Sequence, residues 1–99
     1  MTKKQQIREK FRIEVFARDG YKCVFCDITK KLDAHHITNR NEMPNGGYVK
    51  ENGITLCPEH HLKAEEFHKT GKCEAGFYPE DLYKKIRKNH VKSWKRWIK

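Results

Sequence analysis

Ile7, Phe11 and Val15 recur at i, i+4 and i+8 among lysines, arginines and glutamates. This spacing predicts an amphipathic helix from Lys3 to Arg18, with Gly20 as its C-terminal cap. Cys23 to Cys26 then reads as a tight turn, and Lys30-Lys31 as the tip of a hairpin whose return strand is Leu32 to Ile37. Periodicity lapses between Thr38 and Glu51, where Asn39, Asn41, Pro44, Asn45, Gly46 and Gly47 supply turn chemistry. Gly53-Ile54-Thr55-Leu56 is a second short strand. Pro58 suits the first turn of a helix, which should run to about His68 and end by Gly71. Pro79 opens a last helix to Lys99. On a helical wheel Leu82, Tyr83, Ile86, Val91, Trp94, Trp97 and Ile98 fill one half, while seven of its eight basic residues crowd an arc of about 120°. Asn89-His90, weak helix formers, mark a bend. The pattern is that of an α+β chain with no repeat, linker or low-complexity segment, so 1–99 is read as a single domain.

The chain has 99 residues, 36% of them hydrophobic and 35% charged. So small and polar a domain has a thin core, and a bound metal is a reasonable source of the missing stability. Met1 to Lys10 contain no apolar leader, and no stretch is long enough to span a bilayer. The expectation is therefore an intracellular, reducing setting without membrane association, in which C-x2-C binds metal more readily than it forms a disulfide.

Cys23-x2-Cys26 and Cys57-x2-His60 form two pairs whose spacing presents four side chains to one tetrahedral ion, a Cys3His set suited to structural zinc. Two other frames stay open: Cys57-x3-His61, or replacement of the histidine by Cys73. Outside the zinc frame, Cys73 reads as a small buried hydrophobe.

The formal charge is +9, with 22 Lys and Arg against 13 Asp and Glu. The excess collects at the ends, and from Leu82 to Lys99 there is no acidic residue. A polyanionic partner follows from counterion release on phosphate neutralisation, with Lys88, Lys92, Lys95 and Arg96 as the nucleic-acid-binding face.

Histidines remain after the zinc frame is filled. Cleavage of a phosphodiester needs an open metal that keeps room for water and a phosphate oxygen, and a base with a pKa near neutrality. His35 and His36 can divide these tasks, and His61, just inside the helix after Cys57, can add a second metal ligand. Glu65, one turn beyond His61 on the same face, reads as a surface glutamate, with completion of the metal shell as the alternative. His68 and His90 read as structural.

At this point Cys-x2-Cys, a short strand ending in His35-His36-Ile37, Asn52-x4-Cys57 and the Cys-x2-His-His end closely resemble the HNH endonucleases. The lead-in Arg18-Asp19-Gly20-Tyr21-Lys22-Cys23 resembles that of their zinc-bearing members. The resemblance covers about Phe16 to Glu65, and the small size is similar to that of free-standing HNH proteins of bacteriophages. It implies a ββα-metal fold, a hairpin followed by a helix, with flanking helices at both ends. It further implies His36 as general base, His35 as the metal ligand before it, Asn52 as the residue orienting the base, and His61 as the closing histidine and metal ligand. The catalytic ion would be Mg2+, Mn2+ or another divalent metal, the products 5′-phosphate and 3′-hydroxyl ends, and the partners DNA and phage packaging proteins, with the chain a monomer. Cys57-x2-His60 departs from the second Cys-x2-Cys usual in the family. Neighbouring strand residues face opposite ways, so His35 and His36 can serve one site only where the strand bends or ends. A non-catalytic zinc-dependent nucleic-acid-binding module is the rival reading. A protein adaptor using the Trp94 and Trp97 face is a third.

Overall fold

A computed structural model describes residues 2–97, with side chains described through Asn89. Its elements run α1 (Lys3–Asp19), β1 (Asp33–His36), 3-10 turns at Arg40–Glu42, Pro44–Gly47 and Lys50–Asn52, β2 (Gly53–Leu56), α2 (Pro58–Thr70) and α3 (Pro79–Trp97). Lys92, Lys95, Arg96, Trp94 and Trp97 lie outside the described side chains; Lys88 is exposed on α3. Among the described residues no helix is long and apolar enough to cross a membrane.

α1 starts where Thr2 and Gln5 cap each other reciprocally, and it stops at Gly20, whose left-handed backbone (φ 77°) favours glycine. Its apolar stripe is shorter than its periodicity predicts. Phe11 and Val15 are buried, whereas Ile7 is 44% exposed because the helix projects past the core there. The next turn buries charge instead. Arg18 Nε and Nη2 form a two-pronged pair with Asp19 at 2.9 and 2.8 Å, and Arg18 also donates to the carbonyls of Lys50 and Gly53. Asp19 accepts from Thr55 N at 2.9 Å and from Asn89 Nδ2 at 3.1 Å. One buried ion pair thus ties α1 to β2, to the preceding loop and to α3, with both charges satisfied by hydrogen bonds. α3 continues through Asn89, and the side chain expected to mark a bend is a tether.

β1 and β2 pair antiparallel, Asp33 opposite Leu56 and His36 opposite Gly53. This corrects the expected hairpin around Lys30-Lys31: residues 21–32 form turns, and the partner of Asp33–His36 is the strand 20 positions on. The Cys23–Cys26 turn bonds instead to Ile28 and to β2, with Cys23 N donating to Ile28 O and Val24 N to Thr55 O. β2 is buried along its whole length. One face packs Ile54 and Leu56 with Ile37, Ala64, Phe77, Leu82 and Ile86, linking the hairpin to α2 and α3. Each such aliphatic side chain contributes about 1.5–3 kcal/mol on burial. Gly53 sits directly under α1, where a Cβ would lie 2.4 Å from Val15 Cγ2 and 2.7 Å from Phe11 Cζ, so only glycine lets the helix approach. The order β1-β2-α2 with the Cys and His residues beside it is the ββα arrangement the resemblance implies.

Candidate active site and metal centre

α2 sorts two adjacent histidines to two different places. Residues one apart on a helix point about 100° apart, so His60 turns to the knuckle and His61 to the opposite side of the hairpin end. Cys23, Cys26, Cys57 and His60 bring their ligating atoms within 4.8 Å of one another and could hold a metal such as zinc. Cys26 Sγ is 3.6 Å from Cys57 Sγ, and His60 Nδ1 is 3.1 Å from Cys57 Sγ and 3.7 Å from Cys23 Sγ. Zn–S near 2.3 Å and Zn–N near 2.0 Å set tetrahedral edges of roughly 3.5–3.8 Å, so the spacing fits the ion. The protonation chemistry fits as well. The backbone N–H of Ile28 pulls the Cys26 thiol down, but desolvation and the Cys23 and Cys57 sulfurs outweigh it and push it up to about 11. Burial works to raise Cys57, yet donation from His60 and the neighbouring thiols holds it at about 7. Three sulfurs this close cannot all ionise without a cation between them. Phe25 stacks on His60 at 5.3 Å and Phe77 at 5.8 Å, fixing the ring that aims Nδ1. Cys73 lies apart, packed against the apolar core.

On the other side of the hairpin an open cleft of about 440 Å³ is lined by His35, His36, Arg40, His61, Glu65 and His68 among others. β1 alternates as a strand must. His35 is 2% exposed and turns toward α2, where its Nδ1 lies 3.2 Å from Glu65 Oε1. The same oxygen lies 3.2 Å from His61 Nε2, and His61 Nδ1 lies 3.3 Å from Asp33 Oδ2. His35 Nδ1 is buried and has no hydrogen-bond partner despite this proximity. An orphaned nitrogen at ligand-edge distance from a carboxylate fits a divalent ion bound between them. The close approach of His35 Nδ1 is the main force holding the Glu65 carboxyl down at about 2, with the charges of His35, His61 and His68 adding to it against burial. Burial in turn lowers His35, with Glu65 opposing. Glu65, undecided from sequence, stands at the centre of the histidines.

His36 turns the other way. Phe11 stacks on its ring at 4.6 Å and Tyr48 meets it edge-on at 4.7 Å, while Nε2 is buried without a partner. Burial first, then the positive charge of Arg40 and the proximity of His35, push its pKa down to about 4, so the ring is neutral at pH 7. The strand ends at His36, which lets both histidines reach one cleft from opposite faces.

The hydrogen bonds of the Asn52 side chain go to groups other than the His36 ring. Asn52, 1% exposed, accepts from Thr38 N at 2.8 Å and Tyr83 Oη at 2.7 Å, and donates to the carbonyls of Thr38 at 3.1 Å and Gly47 at 3.3 Å. It pins the loop that leaves His36 onto the start of β2 and onto α3. Gly47 completes this lock: its φ is +67°, and a Cβ there would lie 2.7 Å from Asn52 Nδ2. His68, read from sequence as structural, lines the cleft and donates from Nε2 to the His36 carbonyl at 2.9 Å. Its position two turns after His61 on α2 was the available signal.

Residues 23–63 match the family model described as HNH endonuclease. That segment contains the whole Cys3His set, His35, His36, Asn52 and His61. No curated protein and no solved structure gives a significant match to this chain.

Proposed function

With residues 23–63 belonging to the HNH endonuclease family, we propose that the chain is a divalent-metal-dependent DNA endonuclease whose chemistry runs in the His35, His36, His61 and Glu65 cleft, and whose Cys23, Cys26, Cys57 and His60 set holds a structural zinc. The observation that carries this reading is the sorting of His60 and His61. One helix delivers His60 to a soft, thiol-rich site on one side, and His61 and Glu65 to a separate imidazole and carboxylate site beside the buried, unsatisfied nitrogen of His35 on the other. A purely structural zinc module has no use for the second.

In the proposed reaction His36, neutral at pH 7, takes the proton of a water whose oxygen attacks phosphorus. The bond to the 3′ oxygen breaks in line, leaving a 5′-phosphate and, after protonation, a 3′-hydroxyl. His35, His61 and Glu65 are the groups that would hold the divalent metal, which supplies positive charge for the phosphate and the departing oxygen. Because a base near pKa 4 is weak, His36 contributes placement more than basicity. Phe11 and Tyr48 hold the ring, Asn52 holds the loop behind it, and Arg40 at the cleft rim offers a guanidinium to the scissile phosphate. Lys88, Lys92, Lys95 and Arg96 would carry the duplex by phosphate contacts, which give affinity with little sequence information.

Incubation of supercoiled plasmid with zinc-loaded protein tests the reading. Nicking on addition of Mg2+ or Mn2+, abolished by EDTA under conditions that leave the zinc in place, is the expected result. Binding without cleavage under every divalent metal would favour the non-catalytic module.

A further inference from the structure

We infer that His68 is a further ligand of the metal held between β1 and α2, an inference that rests on the proposed reading of this cleft. His61, Glu65 and His68 fall at i, i+4 and i+7 on α2 and so share one face, turned toward His35 on β1. One ring nitrogen each from His35 and His68, with a carboxylate oxygen of Glu65, lie within 4.8 Å of one another. The His35 and His68 rings lie nearly parallel, 26° apart with centroids at 5.2 Å.

The tautomer of His68 follows from its partner. Nε2 meets the His36 carbonyl at 2.9 Å, and a carbonyl can only accept, so Nε2 carries a hydrogen and Nδ1 is the nitrogen left to offer a lone pair to a metal. A ring with one N–H tied to a carbonyl and the other nitrogen free is the arrangement that orients metal-ligating histidines. His61 differs, with Asp33 on Nδ1 and Glu65 on Nε2, so both of its nitrogens face carboxylate oxygens. A histidine serving only to hold the His36 carbonyl would not need a carboxylate and a second imidazole within ligand reach. With His68 the donor set holds three imidazoles and one carboxylate, which favours Mn2+, Co2+, Ni2+ or Zn2+ over Mg2+. It also joins the metal to the backbone of the proposed base, so that filling the site and placing His36 become one event.

The test uses full-length protein with one zinc per chain and 15N-labelled histidine, titrated with a second equivalent of Zn2+ while the ring nitrogens are followed by NMR. The expected result is a shift of His68 Nδ1 together with those of His35 and His61, with His68 Nε2 remaining protonated. His68→Gln keeps an N–H for the His36 carbonyl but has no imidazole lone pair, and it should weaken Co2+ binding by at least 10-fold, with zinc content and melting temperature unchanged. A second equivalent that shifts His35 and His61 and leaves His68 still, with wild-type Co2+ affinity in His68→Gln, would overturn the inference and leave the nuclease reading standing. His68 shifting in a protein that cleaves no DNA would uphold the inference and defeat the nuclease reading. Failure to take up any second equivalent would overturn the inference, and nicking of plasmid with Mg2+ or Mn2+ would decide the nuclease reading separately.

Discussion

Asn52→Ala isolates what the central asparagine does. The side chain is buried and makes four hydrogen bonds, two accepted and two donated. At about 1 kcal/mol net for each bond the upper bound is about 4 kcal/mol. Two effects trim it: Thr38 Oγ1 keeps its 2.6 Å bond to Tyr83 Oη, and the part-buried Thr38 groups can find water. A loss of about 2–4 kcal/mol is therefore expected, a large share of the 5–15 kcal/mol typical of a domain. Urea unfolding of the zinc-loaded protein reads this as a midpoint lowered by roughly 0.7–4 M, given slopes of about 1–3 kcal/mol per M. Cleavage should fall as well, even in protein verified as folded, because Asn52 fixes the backbone just beyond His36. Asn52→Asp keeps the acceptors for Thr38 N and Tyr83 Oη but turns a carboxylate toward two carbonyls, so it should be impaired despite its matching shape. An unchanged midpoint in Asn52→Ala would refute the claim that this residue locks the loop.

Three further outcomes follow from the geometry. His60→Ala should lose zinc and melt at a markedly lower temperature, whereas His61→Ala should keep zinc and stability and lose cleavage; the opposite pattern, read by metal analysis and thermal melting, would mean the two histidines exchange roles. Asp19→Ala leaves Arg18 buried without its counter-charge and should cost about 3–5 kcal/mol in chemical denaturation, while a loss under 1 kcal/mol would show that the pair is dispensable. Changing Lys88, Lys92 and Lys95 together to Gln should weaken binding to every DNA sequence alike and flatten the plot of log affinity against log salt by about 0.9 for each phosphate contact removed; an unchanged slope would move the DNA-binding surface to α1.

The parts of this protein that sequence made legible are those whose chemistry is local. Cys23-x2-Cys26 and Cys57-x2-His60 announce a metal by spacing, Gly20 and Gly71 stop helices where expected, and Pro58 and Pro79 start them. What stayed hidden depends on contacts far apart in the chain. Strand pairing of Asp33–His36 with Gly53–Leu56 is decided across a loop of turns, so the local Lys30-Lys31 signal misled. Arg18 and Asp19 look like ordinary surface charges until Thr55 and Asn89 are brought to them. Glu65 and His68 carry no motif of their own; only the packing of α2 against β1 sets them beside His35. Ile7 fits the helical period, but period says nothing of where the core ends.

The central claim, that His36 performs hydrolysis in a cleft separate from the zinc, is tested most directly by the single-turnover cleavage rate of His36→Ala beside wild type. Both proteins should carry one zinc per chain, at saturating DNA and divalent metal. The account predicts matching zinc content and DNA affinity with a rate lowered by about 10²–10⁴-fold, the range for loss of a general base. A variant that cleaves at the wild-type rate would contradict it.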